Sequence, residues 1–157
     1  MKDKARNNAY ALLRQRPRSE FEIRNRLKMK GYGGEVIDFV VESLRRAGEI
    51  DDVRFTKLWV ENRMHLNPVG DVVLRHELKE KGVAETIIEA ALAEKAGAYD
   101  EYEVAFNMAA EQFKRLKKID RRKALKRVYD FLLRRGFKYE TVRKIVENIT
   151  GNAADAD

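Results

Sequence analysis

Aliphatic side chains recur along this chain at helical spacing, and they do so three times in the same order. Aligned on Gly31, Gly82 and Gly136, the residues four positions earlier are Leu27, Leu78 and Leu132, and those eight positions earlier are Ile23, Leu74 and Val128. Six positions after each glycine stand Ile37, Ile88 and Val142, and ten positions after stand Val41, Leu92 and Val146. A separation of four residues on either side places each pair on one face of a helix. One helix therefore ends at the glycine and a second begins beyond it. In the first copy the second helix turns Val36, Ile37, Val40, Val41 and Leu44 inward as a broad apolar stripe. The glycine suits the left-handed C′ position of a helix, which it enters without a Cβ penalty. The next residue is Tyr32, Val83 or Phe137, and a Schellman ending packs such an apolar residue back onto the last turn.

Flanking residues punctuate the same units. Ser19 and Glu22 have capping-box spacing, so a helix starts there, just after Pro17. Asp120 is placed to cap the equivalent helix "RRKALKRVYDFLL", and Asp51 or Asp52 to cap the helix that carries Phe55, Trp59 and Val60. Gly48, Gly97 and Gly151 follow the second helices and are expected to end them. Another helix precedes each pair, at about 4–15, 52–65 and 99–117, anchored by Tyr10 with Leu13, Phe55 with Trp59, and Phe106 with Phe113. The chain is thus expected to be all-α: three tandem three-helix modules at 1–50, 51–97 and 98–150, then a flexible tail at 151–157. Modules of this size are marginal alone. Neighbours are expected to pack or share helices, giving an elongated, curved helical array.

Charge adds a direction to this picture. The net charge is +7 over 157 residues, which favours an acidic partner. It is unevenly spread: residues 114–138 hold twelve Lys or Arg against Asp120 and Asp130, while residues 84–112 hold seven acids and one lysine. With Leu125, Val128 and Leu132 turned inward, Lys123, Arg127 and Arg134 point outward. In the first module Arg24 and Lys28 share a face away from Ile23 and Leu27, and Arg14, Arg16 and Arg18 lie just upstream. These eight residues are the candidate contacts to a polyanion, of the salt-sensitive, sequence-poor kind made to phosphates. Tyr32, Tyr129 and Tyr139 have the chemistry to stack on bases, but packing at the core or its rim is the better expectation.

Other chemistries find no support. The chain has no cysteine, which excludes a disulfide framework, a thiolate metal site and a cysteine nucleophile. His65 and His76 lie in no HExxH frame. "GYGG" at 31–34 lacks the GK[ST] of a phosphate loop and follows a helix. Asp51 and Asp52 are neighbours, and adjacent side chains do not converge on a helix. No catalytic residue, metal or cofactor is expected. The first ten residues contain no apolar h-region, and no apolar run approaches the roughly 20 residues of a membrane span. A cytoplasmic monomer without membrane contact is the expectation.

The stretch "RSEFEIRNRLKMKGYGGEVIDFVVESLRRAGEIDDVRFTKLWVENR", residues 18–63, strongly resembles the RecX family of regulators of the RecA recombinase. The similarity rests on Ser19-Glu20-Phe21-Glu22, Leu27 with Lys30-Gly31-Tyr32, Ile50-Asp51-Asp52, Arg54-Phe55, Trp59-Val60 and Arg63. "LRHELKEKGV" around Gly82 and "FLLRRGFKYETV" around Gly136 and Phe137 extend it over about residues 5–150. The resemblance implies three tandem three-helix repeats and a non-enzymatic negative regulator. Such a protein binds the RecA–DNA filament, contacting single- or double-stranded DNA directly or within it. It inhibits ATP hydrolysis, strand exchange and coprotease activity, with a place in recombination, DNA repair and the SOS response. The matching positions are expected to specify mostly the fold. One departure is "NPVGDVVL", where Asp71 stands near a position that is more often basic in the family; the longer leading helix of the third copy is another. The basic faces of modules one and three are expected to touch filament or DNA, and the acidic stretch 84–112 a basic protein surface. The alternatives are a direct DNA-binding regulator of helix-turn-helix type and a protein–protein adaptor without nucleic acid. The net acidity of "EVIDFVVESL" and "ETIIEAALAEK" speaks against groove reading by these second helices.

Overall fold

The computed structural model describes residues 1–155, and among these it contains nine α-helices and no strand. They are α1 (Lys2–Gln15), α2 (Glu20–Met29), α3 (Gly34–Arg46), α4 (Asp52–Leu66), α5 (Asp71–Glu80), α6 (Glu85–Ala98), α7 (Glu101–Arg115), α8 (Arg121–Arg134) and α9 (Tyr139–Asp155). The chain forms two compact units. One holds Met1–Glu61 with Glu77–Ala91; the other holds Asn62–His76 and the chain from Leu92 onward. The middle helix triplet, α4 to α6, contributes to both.

In the first unit α1, α2 and α3 pack on one another. Their core joins Ala5 and Ala9 to Ile23, Leu27, Ile37, Val40, Val41, Leu44 and Ile50. Each of the aliphatic side chains fully withdrawn from water contributes about 1.5–3 kcal/mol. Ala5 and Ala9, four residues apart on α1, present only a methyl group to the core and let that helix sit close. Val36 is half-buried at the edge of the stripe in which it was expected.

The second unit contains a bundle of the same design from α7, α8 and α9. Ala105 and Ala109 take the part of the small pair, against Val128, Leu132, Phe137, Val142, Ile145 and Ile149. The buried face of α8 runs through Ala124, Val128 and Leu132; Leu125 is only partly buried beside it.

Helix ends account for the repeated glycines. Gly31, Gly82 and Gly136 have φ of 93°, 71° and 85°, the left-handed region that glycine alone enters freely. The amides of Tyr32, Val83 and Phe137 donate back to the carbonyls of Leu27, Leu78 and Leu132 at 3.2, 3.1 and 3.3 Å, the long bond of a Schellman ending. Gly48 ends α3 in the same way, at φ 71°. Gly97 does not end α6: it lies within the last turn, and the Tyr99 amide keeps a helical bond to the Lys95 carbonyl at 2.9 Å. α9 likewise runs through Gly151. The tail assigned to 151–157 reaches beyond the described residues at 156 and 157.

Starts are capped by neighbours as well as from within. Ser19 and Glu22 form the full capping box on α2, with both reciprocal bonds at 3.2 Å. Asp51 caps α4, accepting from the Val53 and Arg54 amides at 3.0 and 3.2 Å. Asp52 serves a different helix: its carboxylate accepts from the Glu20 amide of α2 at 2.9 Å. Asp100 caps α7, accepting from the Glu103 amide at 3.0 Å, a cap not among those expected from the sequence. Asp120 precedes α8 but makes no side-chain cap bond, contrary to expectation.

Two junctions join the start of one helix to the end of its equivalent in the next repeat. In the first unit the Ser19 hydroxyl donates to the Lys81 carbonyl at 2.6 Å. In the second, the amides of Gly70 and Val72, at the start of α5, donate to the Arg135 and Gly136 carbonyls at 2.7 and 3.3 Å. Orphan carbonyls at a helix C-terminus thus meet donors at a helix N-terminus, a side-chain hydroxyl in the first junction and backbone amides in the second. Contact is close enough to exclude side chains. A Cβ on Gly82 would lie 2.3 Å from Phe21, and one on Gly70 would lie 2.2 Å from the Gly136 carbonyl oxygen.

Candidate partner-binding surface

The eight basic candidates divide into two kinds. Lys123, Arg127 and Arg134 are exposed on α8, opposite Ala124, Val128 and Leu132. Separations of four and seven residues bring the three onto one stripe of the helix. Leu125 is not needed to turn them outward, because the aliphatic offsets fix the buried face on their own.

The first turn of α8 is unusual within this chain. It reads Arg121-Arg122-Lys123 and has no acid, whereas each of the other eight helices among the described residues carries an acidic residue in its first turn. Cations at the positive end of a helix macrodipole are unfavourable, and an anion placed there is favourable.

The first-module set is largely committed inside the protein. Arg16 pairs with Glu22, with its second guanidinium nitrogen 3.4 Å from the other carboxylate oxygen. Arg18, expected to offer charge to a partner, is only 8% exposed; it donates to Gln15 Oε1 at 3.1 Å and lies 3.8 Å from Glu22. The sequence pattern missed this because both arginines bend back over the start of α2, where the Glu22 carboxylate gathers them. Burial, followed by the neighbouring charge of Arg16, lowers the Arg18 pKa from its ordinary value, which still leaves it a cation. Burial on its own would raise the Glu22 pKa. The hydrogen bonds from Arg16 and the Ser19 amide, with the charges of Arg16 and Lys81, overcome it and hold that carboxyl below its usual range. Arg24 bridges Asp38 at 2.7 Å and Glu20 at 3.4 Å, and the Asp38 bond is the main cause of its raised pKa. Arg14 and Lys28 remain as exposed cations.

The three tyrosines are placed for packing more than for stacking on bases. Tyr32 packs on the first core and its hydroxyl accepts from Asn8 at 2.7 Å. Tyr129 meets Tyr139 edge-on at 6.2 Å, and Tyr139 is exposed.

The remaining singled-out positions build the fold. Phe55 stacks on Trp59 at 6.0 Å. The Trp59 indole donates to Glu77 at 2.7 Å, and the Lys81 ammonium lies over its ring at 5.3 Å. Arg54 donates to the Gly48 carbonyl at 2.8 Å, closing the end of α3. Phe137 is buried and Arg63 half-buried. Asp71, the departure noted above, accepts from Lys95 at 2.6 Å, and this lysine side chain is 5% exposed. The only lysine of the acidic stretch is therefore spent inside the second unit, and Glu85, Asp100, Glu103 and Glu111 stay exposed. No cluster of metal-ligating side chains occurs among the described residues, and no helix there is long and apolar enough to cross a membrane.

Comparison with known proteins places these units in a family. Residues 5–44 match the family description "RecX, first three-helix domain", residues 51–92 the second and residues 99–146 the third. The chain is 34% identical over 149 residues to the "Regulatory protein RecX" of Prosthecochloris aestuarii, covering 95% of each chain. It is 35% identical over 146 residues to that of Chlorobium phaeobacteroides, covering 93% of each. The crystal structure of RecX from Lactobacillus salivarius superposes with a TM-score of 0.81 at 22% identity, over 95% of this chain and 96% of that one, a likeness of fold. Three consecutive domain matches and relatives above 30% identity over nearly the whole length show that the chain belongs to the RecX family of regulatory proteins.

Proposed function

We propose that this protein is a negative regulator of RecA that binds the RecA–DNA filament and inhibits its ATPase, strand-exchange and coprotease activities, itself catalysing nothing. Family membership supports regulation. The observation that carries the nucleic-acid part is the exposed stripe of Lys123, Arg127 and Arg134 on a helix whose first turn alone lacks an acid. A phosphate there relieves the clash between cations and macrodipole, and each neutralised phosphate releases condensed counterions. Of the five first-module candidates only Arg14 and Lys28 stay uncommitted in this reading, because Arg16, Arg18 and Arg24 have carboxylate partners. The exposed acids of 84–112 face a basic protein surface in this reading.

Pelleting with RecA filaments assembled on single-stranded DNA with a slowly hydrolysed ATP analogue tests the proposal. The unaltered chain pellets, and the combined variant Lys123→Glu, Arg127→Glu, Arg134→Glu loses at least tenfold in affinity. The salt dependence flattens by about 0.7 in log–log slope for every single-strand phosphate contact removed. A triple variant that pellets like the parent at every salt concentration removes the α8 stripe from the interface.

A further inference from the structure

The two internal junctions use one pair of positions, and the protein holds a third copy of half of it. Lys30, Lys81 and Arg135 are equivalents, each standing directly before a left-handed glycine. The Lys81 carbonyl accepts from Ser19, and the Arg135 carbonyl accepts from Gly70; Ser19 and Gly70 are themselves equivalents at 51 residues' separation, the offset between Gly31 and Gly82. Both basic side chains reach an acceptor on the incoming segment: Lys81 lies 3.6 Å from Glu22, and Arg135 bonds Asn67. At the end of α2 the corresponding surface is bare. Lys28, Met29, Lys30 and Gly31 are exposed, Met29 to 82%, and a Cβ built on Gly31 meets nothing within 4 Å.

We infer that the C-terminal end of α2, centred on Lys30 and Gly31, is a docking position for the N-terminal turn of a helix on a partner protein. The occupant has a small or capping residue at its N-cap and an acid in its first turn. This rests on the proposed filament reading, in which that partner is RecA. Three features define the occupant. The carbonyl end of α2 carries the negative pole of its dipole and attracts a helix N-terminus. Lys28 and Lys30 select an acidic first turn, as Lys81 selects Glu22. Absence of a Cβ at Gly31 leaves room for close approach, the property that Gly82 gives to Phe21 and Gly136 to Val73. A second copy of this chain is a poor occupant. The helix start left exposed in the same series is that of α8, and Arg121, Arg122 and Lys123 would meet Lys28 and Lys30 with like charge.

The chain lacks cysteine, so Met29→Cys supplies a single thiol for a benzophenone label at the centre of this surface. The labelled chain is irradiated on RecA–single-stranded DNA filaments and the joined peptides are mapped. In parallel, Lys30→Glu and the control Lys4→Glu are pelleted with unlabelled filaments. The expected result is one RecA peptide at the acidic start of a helix, with at least a tenfold loss of affinity for Lys30→Glu and less than a twofold change for Lys4→Glu. Unaltered chain that pellets normally while Lys30→Glu does so equally well overturns the inference and leaves the filament reading standing. Cross-links to DNA or to a second copy overturn the choice of occupant, and equal losses in both charge variants reduce the effect to net charge. An unaltered chain that fails to pellet removes the filament reading and this inference with it.

Discussion

The Ser19 hydroxyl donates to the Lys81 carbonyl at 2.6 Å while it accepts from the Glu22 amide at 3.2 Å. One buried side chain thereby caps the start of α2 and closes the end of α5. Loss of a cap costs about 1 kcal/mol, and a buried carbonyl left without its donor costs about 1–3 kcal/mol more. Ser19→Ala is expected to lower stability by about 2–4 kcal/mol, read as a shift in the urea midpoint of the full chain. A shift below about 0.5 kcal/mol would show that the junction does not hold these helix ends.

The repeated glycines should respond unequally to one substitution. Gly31→Ala meets only the left-handed backbone penalty, about 1–2 kcal/mol, because its surroundings are open. Gly136→Ala adds a clash with the Val73 backbone nitrogen at 2.6 Å, worth about 1–3 kcal/mol further. Gly70→Ala has no left-handed penalty and still meets the Gly136 carbonyl at 2.2 Å. Thermal melts of the three variants should therefore rank Gly31→Ala mildest. Equal costs at all three would mean that the close approaches yield without strain.

Asp71 and Lys95 form a largely buried ion pair in the second unit, at 2.6 Å. Removing the acid alone strands the ammonium. Asp71→Leu alone is expected to cost about 3–5 kcal/mol, whereas adding Lys95→Met to it recovers most of that cost. A denaturation cycle over the four proteins checks this, and additive single costs would contradict it.

Glu22 gives the first unit a pH dependence of known sign. Its folded pKa lies below the unfolded value of about 4.3, so its contribution is complete above that value and is lost as pH falls through the folded pKa. Stability of the parent should fall more steeply below about pH 4.3 than that of Glu22→Gln. Asp52 acts in the opposite sense. Burial is the main cause of its raised pKa, so ionising it as pH rises through the carboxylate range lowers stability. Parallel acid titrations for parent and Glu22→Gln would show that the pairs with Arg16 and Lys81 contribute nothing.

Much of the fold was legible because backbone geometry imposes fixed offsets. Leu27, Leu78 and Leu132 announced three helix ends, and Lys123, Arg127 and Arg134 could be placed outward simply as the reverse of an aliphatic face. Partner choice across the chain was not legible. Arg18 reads as a surface cation until the fold brings Glu22 and Gln15 beside it. Nothing local to Asp52 says that its carboxylate bonds the Glu20 amide 32 residues earlier. Asp71 reads only as a departure near a position that is more often basic in the family, yet its carboxylate pairs with a lysine 24 residues away. Ala5 with Ala9 and Ala105 with Ala109 carry no strong hydrophobic signal, because their value lies in what they leave out.

Regulation of RecA is tested most directly by its DNA-stimulated ATP hydrolysis, with this protein titrated from far below one copy per RecA up to equimolar. The result expected from the proposed function is strong inhibition at substoichiometric ratios that persists with DNA in excess, because a regulator acting on the filament does not compete for free DNA. Undiminished hydrolysis at equimolar protein would contradict a RecA-inhibiting role for this chain.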